Sequence, residues 1–196
     1  MNSEIIKRLR KMTGAGILNC KEALKESNDD LDKAVEFLRK KGQKIADNKR
    51  MRTTNEGIVE AYIHSNCKIG VLLELVCETD FAARNEEFKK LAHDIALHIA
   101  ATNPQWKARE DVPAEIIKKE KQIYKATLKD EKKPKEIIEK IVENKLEKFY
   151  SASCLLEQAF VKDDKITIKS LIHAATAKLG ENIQVKRFVR FSLQEP

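Results

Sequence analysis

Aromatic residues are scarce in this chain: seven Phe, three Tyr and one Trp among 196 residues, with only six Gly and four Pro. Set against abundant Lys and Glu, that shortage of strand and turn formers argues against an all-β protein and leans toward helix. No apolar run approaches the roughly 20 residues a membrane span needs. The amino-terminal MNSEIIKRLRKM lacks the apolar core of a secretory signal. A mitochondrial leader fits it poorly as well, because Glu4 interrupts the basic pattern and a structured motif follows at once. A cytoplasmic protein with no membrane partner is expected. Cysteine is equally sparse: Cys20, Cys67, Cys77 and Cys154 form no C-x-x-C pair, so reduced thiols are expected rather than a disulfide scaffold.

Recognisable catalytic chemistry is missing too. The TGAG stretch follows a helix-like segment instead of a strand and lacks the Gly-Lys-Ser/Thr ending of a phosphate loop. The histidines, His64, His93, His98 and His173, have no nucleophile or carboxylate at a spacing that marks a triad. His93 and His98 stand five apart on a predicted helix, poor spacing for shared ligation, and are expected to be structural or surface residues, as is His173. His64 and Cys67 form an H-x-x-C pair with Cys77 ten residues on, which could be read as three zinc ligands. A hairpin with buried thiols explains that spacing more simply. No covalent catalysis, cofactor or metal is therefore expected.

What the chain has in quantity is charge, 38 basic against 31 acidic residues, for a net +7. That excess permits a polyanionic partner without requiring one. The densest basic run, KGQKIADNKRMR, has no interleaved aromatics to stack on bases. Solvated helix faces and a basic linker explain it, and nucleic acid is not a required partner. A ribosome- or RNA-associated basic binding protein is the alternative.

Periodicity organises the rest. Ile5, Ile6, Leu9 and Met12 share one helical face before the Thr13-Gly14-Ala15-Gly16 break, and Ile17, Cys20, Ala23 and Leu24 form a second. SNDDLDKAVEFLRKKG supplies Asn28 or Asp29 as an N-cap, Leu31, Ala34, Val35 and Leu38 at helical spacing, and Gly42 as a stop. This compact three-helix unit is too small to bury much, so its leftover apolar surface is a candidate docking face. Residues 43 to 56 read as a linker. GIVEAYIH and KIGVLLELVCE then flank Ser65-Asn66 as a hairpin, the second strand apolar enough to be central. A helix from about 85 to 101, capped by Asn85, carries Phe88, Leu91, Ala92, Ile95, Ala96 and Ile99.

From about 113 to 149 two charged helices flank KDEKKPK, with Pro134 suited to the first turn of the second. Ile116, Ile117, Ile123, Tyr124 and Leu128 could face Ile137, Ile138, Ile141, Val142 and Leu146 in a helical hairpin. A last helix, 168 to 179, stops at Gly180. A closing strand follows, in which Ile183, Val185, Val189, Phe191 and Leu193 alternate with mostly polar positions. Its Arg187-Phe188 swap suggests a twist or burial on two faces. Phe81 stands out, because an aromatic ring sits at the exit of a strand where backbone meets solvent. It could tuck under the following helix as a core residue, or it could face a partner.

Two stretches carry a specific likeness. LRKMTGAGILNCKEAL, residues 9 to 24, and ELVCETDFAAR, residues 74 to 84, resemble the two signatures of the elongation factor Ts family, nucleotide exchange factors for the GTPase elongation factor Tu. LLEQAFVKDDKITIKSLIHAATAKLGENIQVKRFVRF resembles that family's carboxy-terminal core.

The resemblance implies an α+β fold. A ubiquitin-associated-like three-helix domain over 1–54, with the basic linker at its end, precedes a core over 55–196 with a small antiparallel sheet, packed helices and a helical hairpin. A single core unit resembles the short family form, which implies a homodimer through the sheet. The same resemblance implies Thr79, Asp80, Phe81 and Ala82 as the residues that displace magnesium from elongation factor Tu. Phe81 would be the wedge, Asp80 a competitor for polar partners near the ion and Thr79 the cap of the bend. Ala82 stands where the family usually has Val. Met12, Ile17 and Leu18 near the Gly turn, and His64 at the hairpin, are further partner-binding candidates.

Overall fold

The computed structural model of the chain describes residues 3–128 and 134–193. Helices α1 (Ser3–Thr13), α2 (Ile17–Glu26) and α3 (Leu31–Lys49) pack around Leu9, Cys20, Ala23, Leu24 and Ala34. The cap of α3 is Asp30, whose carboxylate accepts the Lys33 N–H at 3.1 Å. The expected caps Asn28 and Asp29 are instead the left-handed turn residues before it, at φ 51° and 61°, a conformation that Asn and Asp tolerate best among non-glycine residues.

Gly42 does not stop α3, which runs seven residues further, through much of the expected linker. It is buried inside the helix against α8 (Ile168–Leu179), where an added Cβ would stand 3.6 Å from the Ala177 Cβ. A small residue permits the close approach of two helices. Local sequence cannot distinguish that use of Gly from a terminator, because its partner Ala177 is remote in the chain; the Lys49 to Gly180 hydrogen bond, which spans 131 positions, closes the same pair of helices.

Strands β1 (Glu56–Ile63), β2 (Ile69–Cys77) and β5 (Gln184–Ser192) form an antiparallel sheet in the order β1-β2-β5, with the apolar β2 central as its composition predicts. Val71, Leu73, Leu75 and Cys77 point inward, against Phe88, Leu91, Ile95 and Ile99 of α5 (Glu86–Thr102) and Ile168 and Ile172 of α8. Between β2 and α5 sits the short helix α4 (Asp80–Arg84). A two-stranded ladder, β3 (Ala159–Phe160) with β4 (Asp163–Thr167), leads into α8.

The closing strand departs from simple alternation. Its register shifts so that Glu74 faces Arg187 while Leu75 faces Val185, leaving Lys186 as an extra bulged residue. A bulge reverses the parity of the strand. Ile183 and Val185 are therefore buried, whereas Val189, Phe191 and Leu193, expected on the same face, lie outside and exposed. Both Lys186 and Arg187 reach the Glu74 carboxylate, at 2.8 and 2.5 Å. The Arg187-Phe188 swap is thus the mark of the bulge, not of burial on two faces: Phe188 packs inward on the same core as Ile183 and Val185, while the outer face stays exposed.

Helices α6 (Ala114–Thr127) and α7 (Lys135–Ser153) form the expected hairpin. Pro134 is the residue before the first helical one, at φ −54°. Most of the KDEKKPK connection lies outside the described residues. Leu128, Val142 and Leu146 are buried, while Ile123 and Ile137 are each 45% exposed. Arg109 clasps the base of the hairpin, bridging Glu147 of α7 and Glu157 at 3.2 and 2.9 Å.

Candidate functional site

The Thr-Asp-Phe turn is built from the end of β2. Its last residue, Cys77, is buried, and its thiol donates to the Thr79 carbonyl at 3.2 Å. Burial pushes that thiol up to about 11, so it stays protonated and unreactive at neutral pH. Thr79 is the N-cap of α4, with its hydroxyl accepting the Ala82 N–H at 3.3 Å, as a cap of this bend should. Asp80 occupies the first turn, where a carboxylate suits the positive end of the helix. It pairs with Arg84 at 3.0 Å on the open surface.

Phe81 is 81% exposed. The alternative of a ring tucked under the following helix is therefore overturned. Its neighbours take the core positions instead: Ala83 is buried and Ala82 packs partly against the main core. A helix of five residues leaves one side for anchoring and one for display.

The turn is tied from a second direction. Glu181, just past the left-handed Gly180 that ends α8, accepts the Glu78 and Thr79 N–H groups at 3.2 and 3.1 Å and the Thr79 hydroxyl at 2.6 Å. Reciprocally, the Asn182 N–H donates to Glu78 at 2.6 Å. The Asn182 side-chain amide donates to the Arg50 and Arg52 carbonyls at 3.3 and 2.8 Å. Three segments distant in sequence therefore meet behind Phe81. Glu181 and Asn182 carry no periodic signal, and although they lie in the stretch that resembles the family's carboxy-terminal core, nothing in it points to this turn.

Met12, Ile17 and Leu18 flank the Gly14 turn and are 55%, 50% and 80% exposed. They share the break between α1 and α2, where Gly14 adopts φ 67° and its N–H reaches the Arg10 carbonyl at 2.8 Å. The positive φ is what favours glycine here; a Cβ would also come to 3.1 Å from the Lys178 Nζ, a contact that this flexible side chain can relieve by a small shift. Lys178 also pairs with Glu87, in the first turn of α5, so the turn bearing Met12 and the segment after Phe81 rest on one α8 side chain.

His64 stands apart. It begins the hairpin turn, with its N–H donating to Ile69 O at 2.9 Å and its Nδ1 at 3.2 Å from the Tyr62 hydroxyl. The length of β2, about 27 Å for its residues, separates that turn from the Thr-Asp-Phe end. For the same reason Cys67, exposed at the hairpin turn, cannot share an ion with buried Cys77. Among the described residues no group of three or more His, Cys, Asp or Glu could hold a metal, and no helix is long and apolar enough to cross a membrane.

His98 is a structural residue. Fully buried, it accepts the Val161 N–H on Nδ1 at 3.2 Å, which makes Nε2 the protonated nitrogen that meets Gln158 Oε1 at 3.0 Å. Burial lowers its pKa. His93 sits on the surface beside Glu60 at 2.9 Å.

Comparison with known proteins gives a consistent result. The family described as Elongation factor TS matches residues 4–195. The Elongation factor Ts of Fervidobacterium nodosum is 55% identical over 195 residues, covering 100% of this chain and 99% of its own. That of Thermotoga maritima is 56% identical, covering 100% and 97%. That of Carboxydothermus hydrogenoformans is 52% identical, covering 100% and 90%.

Proposed function

The chain belongs to the elongation factor Ts family and serves translation elongation, and from that premise we propose that it binds elongation factor Tu in its GDP form and promotes GDP release, in the cytoplasm. The observation that carries the reading is the exposed Phe81 on a turn whose backbone is anchored on both sides. Nothing in such a mechanism requires covalent chemistry. An exchange factor works by linkage: if it binds the nucleotide-free GTPase more tightly, nucleotide binding weakens by the same factor.

Phe81 is the wedge in this reading, inserted between elements of the GTPase so that the groups holding magnesium are displaced. Asp80 competes for polar partners close to the ion. It can be recruited readily, since its present partner, Arg84, is a surface ion pair worth little. Thr79 holds the bend as its cap, and Ala82 seats the turn on the core. Met12, Ile17 and Leu18 form an apolar patch on the three-helix unit that docks on a second surface of the GTPase. His64, a strand length from Phe81, makes a separate contact.

A homodimer fits the outer face of the sheet. The paired rows Ile63-Gly70-Phe191 and Ala61-Leu72-Val189 lie side by side there. Ile63, Leu72, Val189, Phe191 and nearby Leu193 are 64%, 45%, 42%, 65% and 81% exposed. A contiguous apolar sheet face of this kind calls for a partner surface, and a second copy of the same face supplies one with two-fold symmetry.

The deciding experiment measures release of labelled GDP from elongation factor Tu with and without this protein. Acceleration that saturates with protein concentration is expected. Absence of any acceleration, together with RNA binding that weakens steeply with salt, would favour a ribosome- or RNA-associated protein instead.

A further inference from the structure

The Thr-Asp-Phe turn cannot hold its own shape. Helix α4 has five residues, far below the length at which a helix is stable alone, and the exposed Phe81 ring has no core packing to fix it. Its direction must come from the backbone that precedes it. Beside the adjacent Cys77 thiol, which donates to the Thr79 carbonyl, a remote side chain binds that backbone: Glu181, which accepts both the Glu78 and the Thr79 N–H from 103 and 102 positions away.

We propose that Glu181 is the positioning residue of the exchange site, setting the angle at which Phe81 is presented to the GTPase; the inference rests on the exchange-factor reading above. The chemistry runs through the Thr79 hydroxyl. A hydroxyl has one hydrogen and two acceptor lone pairs. Donation to Glu181 Oε1 at 2.6 Å commits that hydrogen, so a lone pair is left to receive the Ala82 N–H at 3.3 Å. The carboxylate thus selects the rotor state in which Thr79 caps α4. Glu181 Oε2, taking the Glu78 and Thr79 N–H groups together, fixes the two peptide planes immediately before the cap. Charge-assisted bonds of this type are stronger and more directional than neutral ones.

Glu181 is itself held. Gly180, at φ 74°, ends α8 and accepts Lys49 Nζ on its carbonyl. The next residue, Asn182, is buried and bonded to Glu78 and to the backbone after α3. The angle of Phe81 is therefore referenced to α8 and to the end of α3, the scaffold on which the three-helix unit also sits.

The test combines Glu181→Ala and Thr79→Val, each alone and with Phe81→Ala, in the full-length protein. Two readouts are taken: amide hydrogen exchange of the free protein, and GDP release from elongation factor Tu at saturating protein. Each single variant should speed exchange of the amides of residues 78 to 82 by about tenfold or more while core amides of β2 and α5 keep their protection. GDP release should fall by about tenfold with Glu181→Ala. In the Phe81→Ala background it should fall by less than about twofold further, since residues acting through one group are not additive. Unchanged amide protection in both single variants would overturn the proposal, as would an undiminished loss in the Phe81→Ala background. Should the unmodified protein fail to release GDP, the exchange-factor reading falls, while the amide readout still decides whether Glu181 anchors the turn.

Discussion

Truncating Phe81 to Ala separates recognition from folding, because the ring touches solvent and the fold does not depend on it. A Phe side chain buries about 200 Å² when fully enclosed. With 81% of it exposed in the free protein, about 160 Å² is available for a partner, worth about 4 kcal/mol at about 25 cal/mol per Å². That value is an upper bound, since contacts of the remaining Cβ survive and the partner can relax around the gap. Interface anchors commonly return about 2 kcal/mol or more on truncation. At about 1.4 kcal/mol per tenfold, the corresponding loss in kcat/KM for GDP release is about 30-fold to 1,000-fold. Stopped-flow release of fluorescent GDP from elongation factor Tu reads it directly, at two ionic strengths. The loss should persist at both, because burial of an apolar ring is insensitive to screening. Stability should stay within about 0.5 kcal/mol of the unmodified protein, as for other surface substitutions. A Phe81→Ala protein that releases GDP at the full rate, or one that loses activity only because it unfolds, would refute the reasoning.

Three further outcomes follow from other parts of the molecule. Gly57→Ala should destabilise the protein by about 2 kcal/mol or more in urea unfolding, because a Cβ would lie 2.2 Å from the Leu75 carbonyl oxygen at a residue with φ 154°. Phe191→Glu, on the edge strand of the exposed apolar sheet face, should convert a dimer to a monomer by sedimentation at micromolar concentration; an unmodified protein already monomeric there would remove the dimer proposal. Stability should also fall between pH 7 and pH 5. Burial depresses the pKa of His98, and burial followed by the charge of Lys169 depresses that of His173. The unfolded histidines titrate near about 6.5, so below that pH the unfolded chain holds more protons and gains on the folded one. The slope can reach about 2.7 kcal/mol per pH unit while both sites differ by a full proton. Asp30, Glu36 and Glu74 have lowered pKa values, and their contribution is lost only at more acidic pH, as they protonate. His173→Gln should flatten the neutral-to-mildly-acid slope, and an unchanged slope would sink the assignment.

The fold was legible wherever a segment's own periodicity decided its burial. The apolar run of β2 reads as a central strand because both of its faces are covered in part, and α5 reads as a helix because Asn85 caps it and its stripe meets that sheet. Sequence was misleading where a distant partner changed the meaning of a residue. Gly42 has the look of a terminator, yet its missing side chain serves the contact with Ala177. Ile183 through Leu193 alternates like a one-sided strand, yet one extra residue at Lys186, opposite Glu74, reverses the facing of everything after it. That extra residue places a Lys and an Arg on one carboxylate and turns Val189 and Phe191 outward, so an apolar surface arises from a residue that is itself charged.

The candidate site divides along the same line. Thr79 capping Ala82 is a contact three residues long and can be inferred from the tripeptide alone. The exposure of Phe81 cannot, because a ring at that position would be equally at home under α5 until Phe88, Leu91 and Ile95 are seen to fill the space. Once α5 seals the sheet with its own residues, Phe81 has no cavity to enter. What remains to it is the outside, in a direction set by groups that the local sequence does not contain. A display residue is therefore the combined product of a filled core, which excludes it, and a remote clamp, which aims it. The motif alone specifies neither. Transferring ETDFAAR to an unrelated strand end should accordingly carry the cap but not the exchange activity, unless an acceptor equivalent to Glu181 is supplied behind it.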